Sequence, residues 1–136
     1  MTKTRTEKDS LGAKEIPEAL YYGVQTLRAI ENFPVSGLHA HPRLIDVYVM
    51  IKKAAAFANA KAGDLSSQHR DAIIRACDEI LGGQWRDQFP VDVFQMGAGT
   101  AFNMNINEVL ANRANEILGQ PKGSYKPLNP NDHVNM

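Results

Sequence analysis

The chain has 136 residues, fifteen Lys plus Arg against fifteen Asp plus Glu, and no long block of either sign, so neither nucleic acid nor an anionic membrane surface is implied as a partner. Its length suffices for one buried core. The opening MTKTRTEKDS has no apolar segment behind it and the apolar runs are too short to span a bilayer, while the single Cys77 forms neither an intrachain disulfide nor a metal site; together these point to an unexported, cytoplasmic protein.

The first clear period follows His41-Pro42, where Leu44, Ile45, Val47, Tyr48, Ile51, Ala54, Ala55 and Ala58 leave little polar face before Lys61. This predicts a helix buried on nearly all sides, with Pro42 in its first turn and Gly63 at its end. A second helix is predicted from about Ser67, capped by Ser66 or Ser67, with a stripe of Ile73, Cys77, Ile80 and Leu81 and a stop at Gly82-Gly83. It should lie on the surface of the first. The segment QWRDQFPVDVFQMGAG reads as an irregular connection, and a third helix begins near Thr100. The tail PKGSYKPLNPNDHVNM is rich in turn formers. Within it, Asn129-Pro130-Asn131-Asp132 supplies a turn and helix-capping groups close to Met136. With one helix apolar all round, three helices carry more apolar surface than they cover, so the sequence reads as an all-α chain cut short.

The third helix carries Asn103, Asn105, Asn107, Asn112 and Asn115, although asparagine is a poor helix former. At a hundred degrees per residue Asn103 and Asn107 fall on the arc of Phe102, Ile106, Val109, Leu110 and Ile117, so these two amides should be buried and partnered. Gly97, Ala98 and Gly99 allow close backbone approach ahead of Thr100. A hydroxyl among small residues at a helix N-terminus suits a carboxylate or phosphate. The plainer reading is that Thr100 caps the helix and the asparagines lock helices together.

The stretches YYGVQTLRAIENF (21–33), DQFPVDVFQMGAGTAFNMNINEVLANRANE (87–116) and NPNDHVN (129–135) together resemble the N-terminal part of the aspartase/fumarase superfamily, and of its aspartate ammonia-lyases in particular. Within that superfamily, fumarases tend to have Ser in place of Ala98, His in place of Asn129 and Asp in place of His133. The resemblance implies the helical N-terminal domain of that fold over residues 1–136, with the central helical bundle beginning near the C-terminal end. It also implies reversible elimination of ammonia from L-aspartate to fumarate, with no redox cofactor and no metal at the chemical step. Thr100, Gly99 and Ala98 match the family's carboxylate-holding segment, and Asn103 and Asn107 would support it; Asn129, Asn131 and Asp132 resemble a segment that in fumarases forms an accessory carboxylate patch, turn and cap formation being the preferred reading in an aspartase-like chain. Ala101 stands where many relatives have Ser or Gln. The family's serine base and its substrate-holding lysine and histidine have no counterpart here, so no catalytic residue is expected within the chain. Family members are homotetramers that share active sites between subunits. Fumarate hydratase is the alternative enzyme, and a non-catalytic fragment acting only in subunit association the alternative outside catalysis.

Other residues carry plainer expectations. His133 is expected to be structural or capping, Arg28 a surface group, Lys52-Lys53 and His39 to His41 solvated, and Cys77 core.

Overall fold

The computed structural model describes residues 3–136; Met1 and Thr2 of the polar opening lie outside the described residues. Ahead of the predicted helices stands an antiparallel hairpin, β1 (Thr4–Asp9) and β2 (Gly12–Pro17), in register from Thr4 opposite Pro17 to Asp9 opposite Gly12. Asp9 Oδ1 accepts the Leu11 N–H at 2.9 Å, and Gly12, at φ 117°, takes the left-handed conformation that closes the turn. One face of the hairpin is buried through Glu7 and Ile16, and the other presents Thr4, Thr6 and Glu15.

Helix α1 (Val24–Asn32) follows, unforeseen from periodicity, and its N-cap Gly23 provides no side chain. Its first N–H groups are met from a distance. Glu108 accepts from Gly23 at 2.9 Å, Gln25 at 2.9 Å and Thr26 at 3.0 Å, while Glu7 accepts from Val24 at 3.0 Å. Two buried carboxylates thus neutralise the positive end of α1.

Helix α2 (Pro42–Ala62) begins where His41 Nδ1 accepts the Arg43 N–H, with Pro42 in its first turn, and ends at left-handed Gly63. Its expected burial on nearly all sides is corrected: only Ile45, Val49 and Ala56 are buried. Leu44, Val47, Met50, Ile51 and Phe57 are 45 to 57% exposed. Periodicity records that every face is apolar, not which faces find a neighbour. Helix α3 (Ser67–Leu81) is capped by Ser66 and packs on α2 through a stripe that includes Ile73, Cys77 and Ile80, stopping at Gly82.

Helix α4 (Thr100–Ile117) lies at the centre, with α1, α2, α3 and the turn Pro130–Val134 packed around it. From Asn105 to Asn112 every residue of α4 is buried. Ile106, Val109 and Leu110 meet Val49, Ile73 and Leu128 in the main core. Among the described residues no helix is long and apolar enough to cross a membrane.

Candidate functional site

The segment leading into α4 is pinned from below. Asp92 accepts the N–H groups of Ser36, Gly37 and Phe94 at 2.7, 2.8 and 2.8 Å and the Ser36 hydroxyl at 2.9 Å. Burial by itself would raise the Asp92 carboxyl, but these four donors outweigh it and hold it well below the usual carboxylate range. Beyond it, Ala98 and Gly99 are both left-handed, at φ 60° and 71°. A non-glycine residue in that region costs roughly 1–2 kcal/mol, so the surrounding structure holds Ala98 there. The double turn brings the chain sharply into α4.

Gly99, not Thr100, is the N-cap, and no side chain caps α4 in the usual way. The reading of Thr100 as a cap is therefore corrected. Thr100 is exposed in the first helical turn, and its Oγ1 donates to Gly97 O at 3.1 Å. Gln95, which the sequence did not single out, accepts the Phe102 N–H at 2.6 Å. A side-chain carbonyl thus partners one of the helix's leading donors. Beside this end of α4 opens a cleft of about 330 Å³ bordered by Leu44, Tyr48, Gln95, Ala98, Gly99 and Phe102, among others. Ala98 and Gly99 line it, whereas Thr100 does not. Among the described residues, Tyr48 is its one titratable wall residue, and no Lys, Arg or His borders it.

Asn103 and Asn107 both donate to Asn135 Oδ1, at 3.0 and 3.1 Å, and Lys52 Nζ donates to the same oxygen at 3.0 Å. Asn107 is buried as expected; Asn103 is only partly so, because its end of the arc faces the open tail. Asn105, Asn112 and Asn115, which the arc did not place inside, are also fully buried. Asn105 donates to Gln88 O, Asn112 donates to Tyr21 O and accepts from Gly123 N, and Asn115 both donates to and accepts from the Leu128 backbone, at 2.7 to 3.0 Å. Each fastens an irregular segment to the central helix, satisfying backbone groups that have no ladder of their own. Ala101 is packed against Ala29 and Val91, so its methyl group faces core.

At the accessory patch, Asn129 Oδ1 accepts from Asn131 and Asp132 N–H at 2.8 and 3.2 Å, the turn-capping role. Asn129 and Asn131 also border a polar cleft of about 280 Å³ with Lys8, Asp9 and Ser10; Asp132 lies outside it. Arg28, expected at the surface, instead grips Asp9 through two bonds of 2.8 and 2.9 Å and is largely covered. Lys52, expected to be solvated, is partly buried on Asn135, and burial lowers its ammonium below the ordinary value; Lys53 pairs with Asp78 at 2.5 Å. His39 bridges to Asp92 through the backbone, and Cys77 is core. Among the described residues no cluster of His, Cys, Asp and Glu could hold a metal ion.

The helical assembly around this central helix is shared with a known class of lyases. A family model described as a lyase matches residues 12–136, and the chain belongs to that family, within the aspartase/fumarase superfamily. It is 54% identical over 135 residues to an aspartate ammonia-lyase of a Bacillus species, covering 99% of this chain and 29% of that protein. It is 53% identical over 131 residues to a class II fumarate hydratase of Halobacterium salinarum, covering 96% and 28%. Among solved structures, a fumarate lyase:delta crystallin from Brucella melitensis superposes with a TM-score of 0.95 at 53% identity, over 98% of this chain and 30% of that one. The chain thus spans less than a third of the length of these relatives.

Proposed function

We propose that the chain is the N-terminal portion of an aspartate ammonia-lyase, in which it provides a carboxylate seat for the elimination of ammonia from L-aspartate. In that reaction a base removes a proton from the carbon beside the second carboxylate, its electron pair forms the double bond of fumarate, and the C–N bond breaks to release ammonia. Negative charge gathers on that carboxylate in the transition state, so donors aimed at its oxygens accelerate the step. The observation that carries the reading is the Ala98–Gly99–Thr100 entry to α4, with two left-handed residues, an exposed hydroxyl and a cleft alongside. Similarity does not separate the substrates, at 54% to one class and 53% to the other. Ala98, Asn129 and His133, where fumarases tend to have Ser, His and Asp, favour aspartate over fumarate hydration.

Thr100, Gly99 and Ala98 hold the carboxylate in this reading. Asn103 and Asn107 keep the neighbouring tail in place, and Asn129, Asn131 and Asp132 form an accessory contact. The base comes from outside the chain, consistent with a cleft that has no carboxylate, imidazole or amine on its walls. Residues 1–136 are then the N-terminal domain of a cytoplasmic homotetramer whose helical bundle begins near residue 136, working without cofactor or metal.

The test is a chimera joining residues 1–136 in register to the remainder of the Bacillus enzyme. Fumarate formation is followed by absorbance, with water addition to fumarate assayed in parallel. Thr100→Val keeps the branched shape and removes the hydroxyl, so turnover should fall about a hundredfold with little change in melting temperature. Asn107→Leu should lower stability by roughly 1–3 kcal/mol, any loss of rate following from that. Hydration of fumarate without deamination of aspartate by the parent chimera overturns the substrate assignment. Full turnover in Thr100→Val together with none in a folded Asn107→Leu tetramer reverses the two roles.

A further inference from the structure

The turn Pro130–Val134 meets α3 through a pair of histidines that the proposed chemistry does not use. His133 accepts the Asn129 N–H at Nδ1, 3.0 Å away, and that bond exists only while Nδ1 is unprotonated. His69, in the first turn of α3, places its ring centroid 5.9 Å from that of His133 with the planes at 80°. The surroundings disfavour charging His69. The first turn of α3 presents the positive end of its peptide dipoles to His69. From α2, Lys52 brings an ammonium onto Asn135 at the far end of the turn, while α4 faces it with the neutral amides of Asn103 and Asn107. The turn's own Asp132 is exposed, and among the described residues no carboxylate forms an ion pair with either imidazole.

We propose that His69 and His133 form an acid-sensitive latch, which holds residues 129–135 on α3 and α4 near neutral pH and releases them when the pair becomes protonated. Protonation sets two cations against each other and removes the acceptor for Asn129. Burial first, and then the facing His133, keep His69 below its ordinary value. An unfolded or released His69 therefore takes up its proton more readily than the latched one. The latch's contribution is complete above the ordinary histidine value near 6.5 and is lost as the pH falls through it. What comes free is the turn bearing Asn129 and Asn131, together with the Asn135 amide that caps the Asn103–Asn107 face of α4. The latch rests on ring geometry and stands whether or not the chain serves a lyase.

Backbone hydrogen exchange of the 136-residue chain, read by mass spectrometry from pH 8 to pH 5 and corrected for intrinsic rates, tests it. Protection across residues 129–136 should be level near pH 8 and fall roughly five- to tenfold toward pH 5, the cost of one hydrogen bond plus charge repulsion, while α3 and α4 stay protected. His133→Asn retains an acceptor near the Nδ1 position but does not titrate, so the step should vanish. His69→Gln removes one of the two charges and should shrink it. A step unchanged in either variant, no step in the parent, or simultaneous loss of protection in α3 and α4 overturns the latch.

Discussion

Gly23→Ala should destabilise the fold severely, although Gly23 needs no glycine-only backbone. Its φ of −115° and ψ of −162° are extended and open to alanine. The obstacle is space: an added Cβ would lie 2.4 Å from the Tyr125 hydroxyl, 2.6 Å from Glu7 Oε2 and 2.8 Å from Glu108 Cδ. Tyr125 donates to Glu7, and the two carboxylates between them accept four N–H groups of the α1 start. Moving any of these groups costs the overpacking energy of about 1–3 kcal/mol. It also breaks hydrogen bonds to a charged acceptor worth roughly 1.5–3 kcal/mol each. A total near 3–5 kcal/mol follows if one bond is lost with the clash. Urea unfolding followed by circular dichroism at micromolar concentration should show a midpoint lower by on the order of 2 M. Gly97→Ala is the control, since no atom lies within 4 Å of its added Cβ and its φ is outside the left-handed range. It should be neutral or slightly stabilising, as expected when alanine narrows the unfolded ensemble. Equal midpoints for the two variants would refute the crowding at Gly23.

Asp92→Asn should flatten the acid limb of stability. The carboxyl is held low in the folded state, so its contribution is full above the unfolded value near 3.9 and is lost as pH falls below it; urea midpoints from pH 6 to pH 2 that run parallel in parent and variant would contradict this. The purified 136-residue chain should give no fumarate from L-aspartate, because the described residues lining its cleft include no carboxylate, imidazole or amine to act as base and acid–base catalysis alone accounts for about a hundredfold or more; turnover that co-purifies with the chain would overturn it. The exposed Leu44, Val47, Met50, Ile51 and Phe57 of α2 should make the chain self-associate, and sedimentation velocity showing one compact monomer across a wide concentration range would exclude that.

What could be read in the sequence was what each segment encodes locally. Helix α4 begins at Thr100 directly after the small residues Gly97, Ala98 and Gly99, and helices α2 and α3 carry their own start and stop signals in Pro42, Gly63, Ser66 and Gly82 and lie where those signals place them. The hairpin and α1 do not. The inward side chain of β1 is Glu7, which breaks the apolar alternation that identifies a half-buried strand. The cap of α1 is Glu108, more than eighty residues away along the chain. An excess of apolar surface was legible in α2, but which of its faces stay exposed was not, since an apolar stripe specifies a preference for burial and a neighbour must provide it.

The asparagines of α4 show where spacing stops being informative. An arc separates buried from exposed positions only on a helix with two kinds of face, and α4 from Asn105 to Asn112 has one. Its polar positions are then selected by the loops around it, each of which presents backbone groups without partners. A carboxamide offers a donor and an acceptor without charge, so Asn112 and Asn115 can each satisfy both an N–H and a C=O at no cost of ion burial. Glu108 occupies the one place where three leading N–H groups converge and only an acceptor is wanted; burial pushes its carboxyl up, and these donors work against that. The same logic locates Thr100. It stands where α4 emerges from this enclosure, its hydroxyl held by Gly97 and exposed, so that in the proposed reading a ligand carboxylate needs to displace only one weak internal bond to reach it.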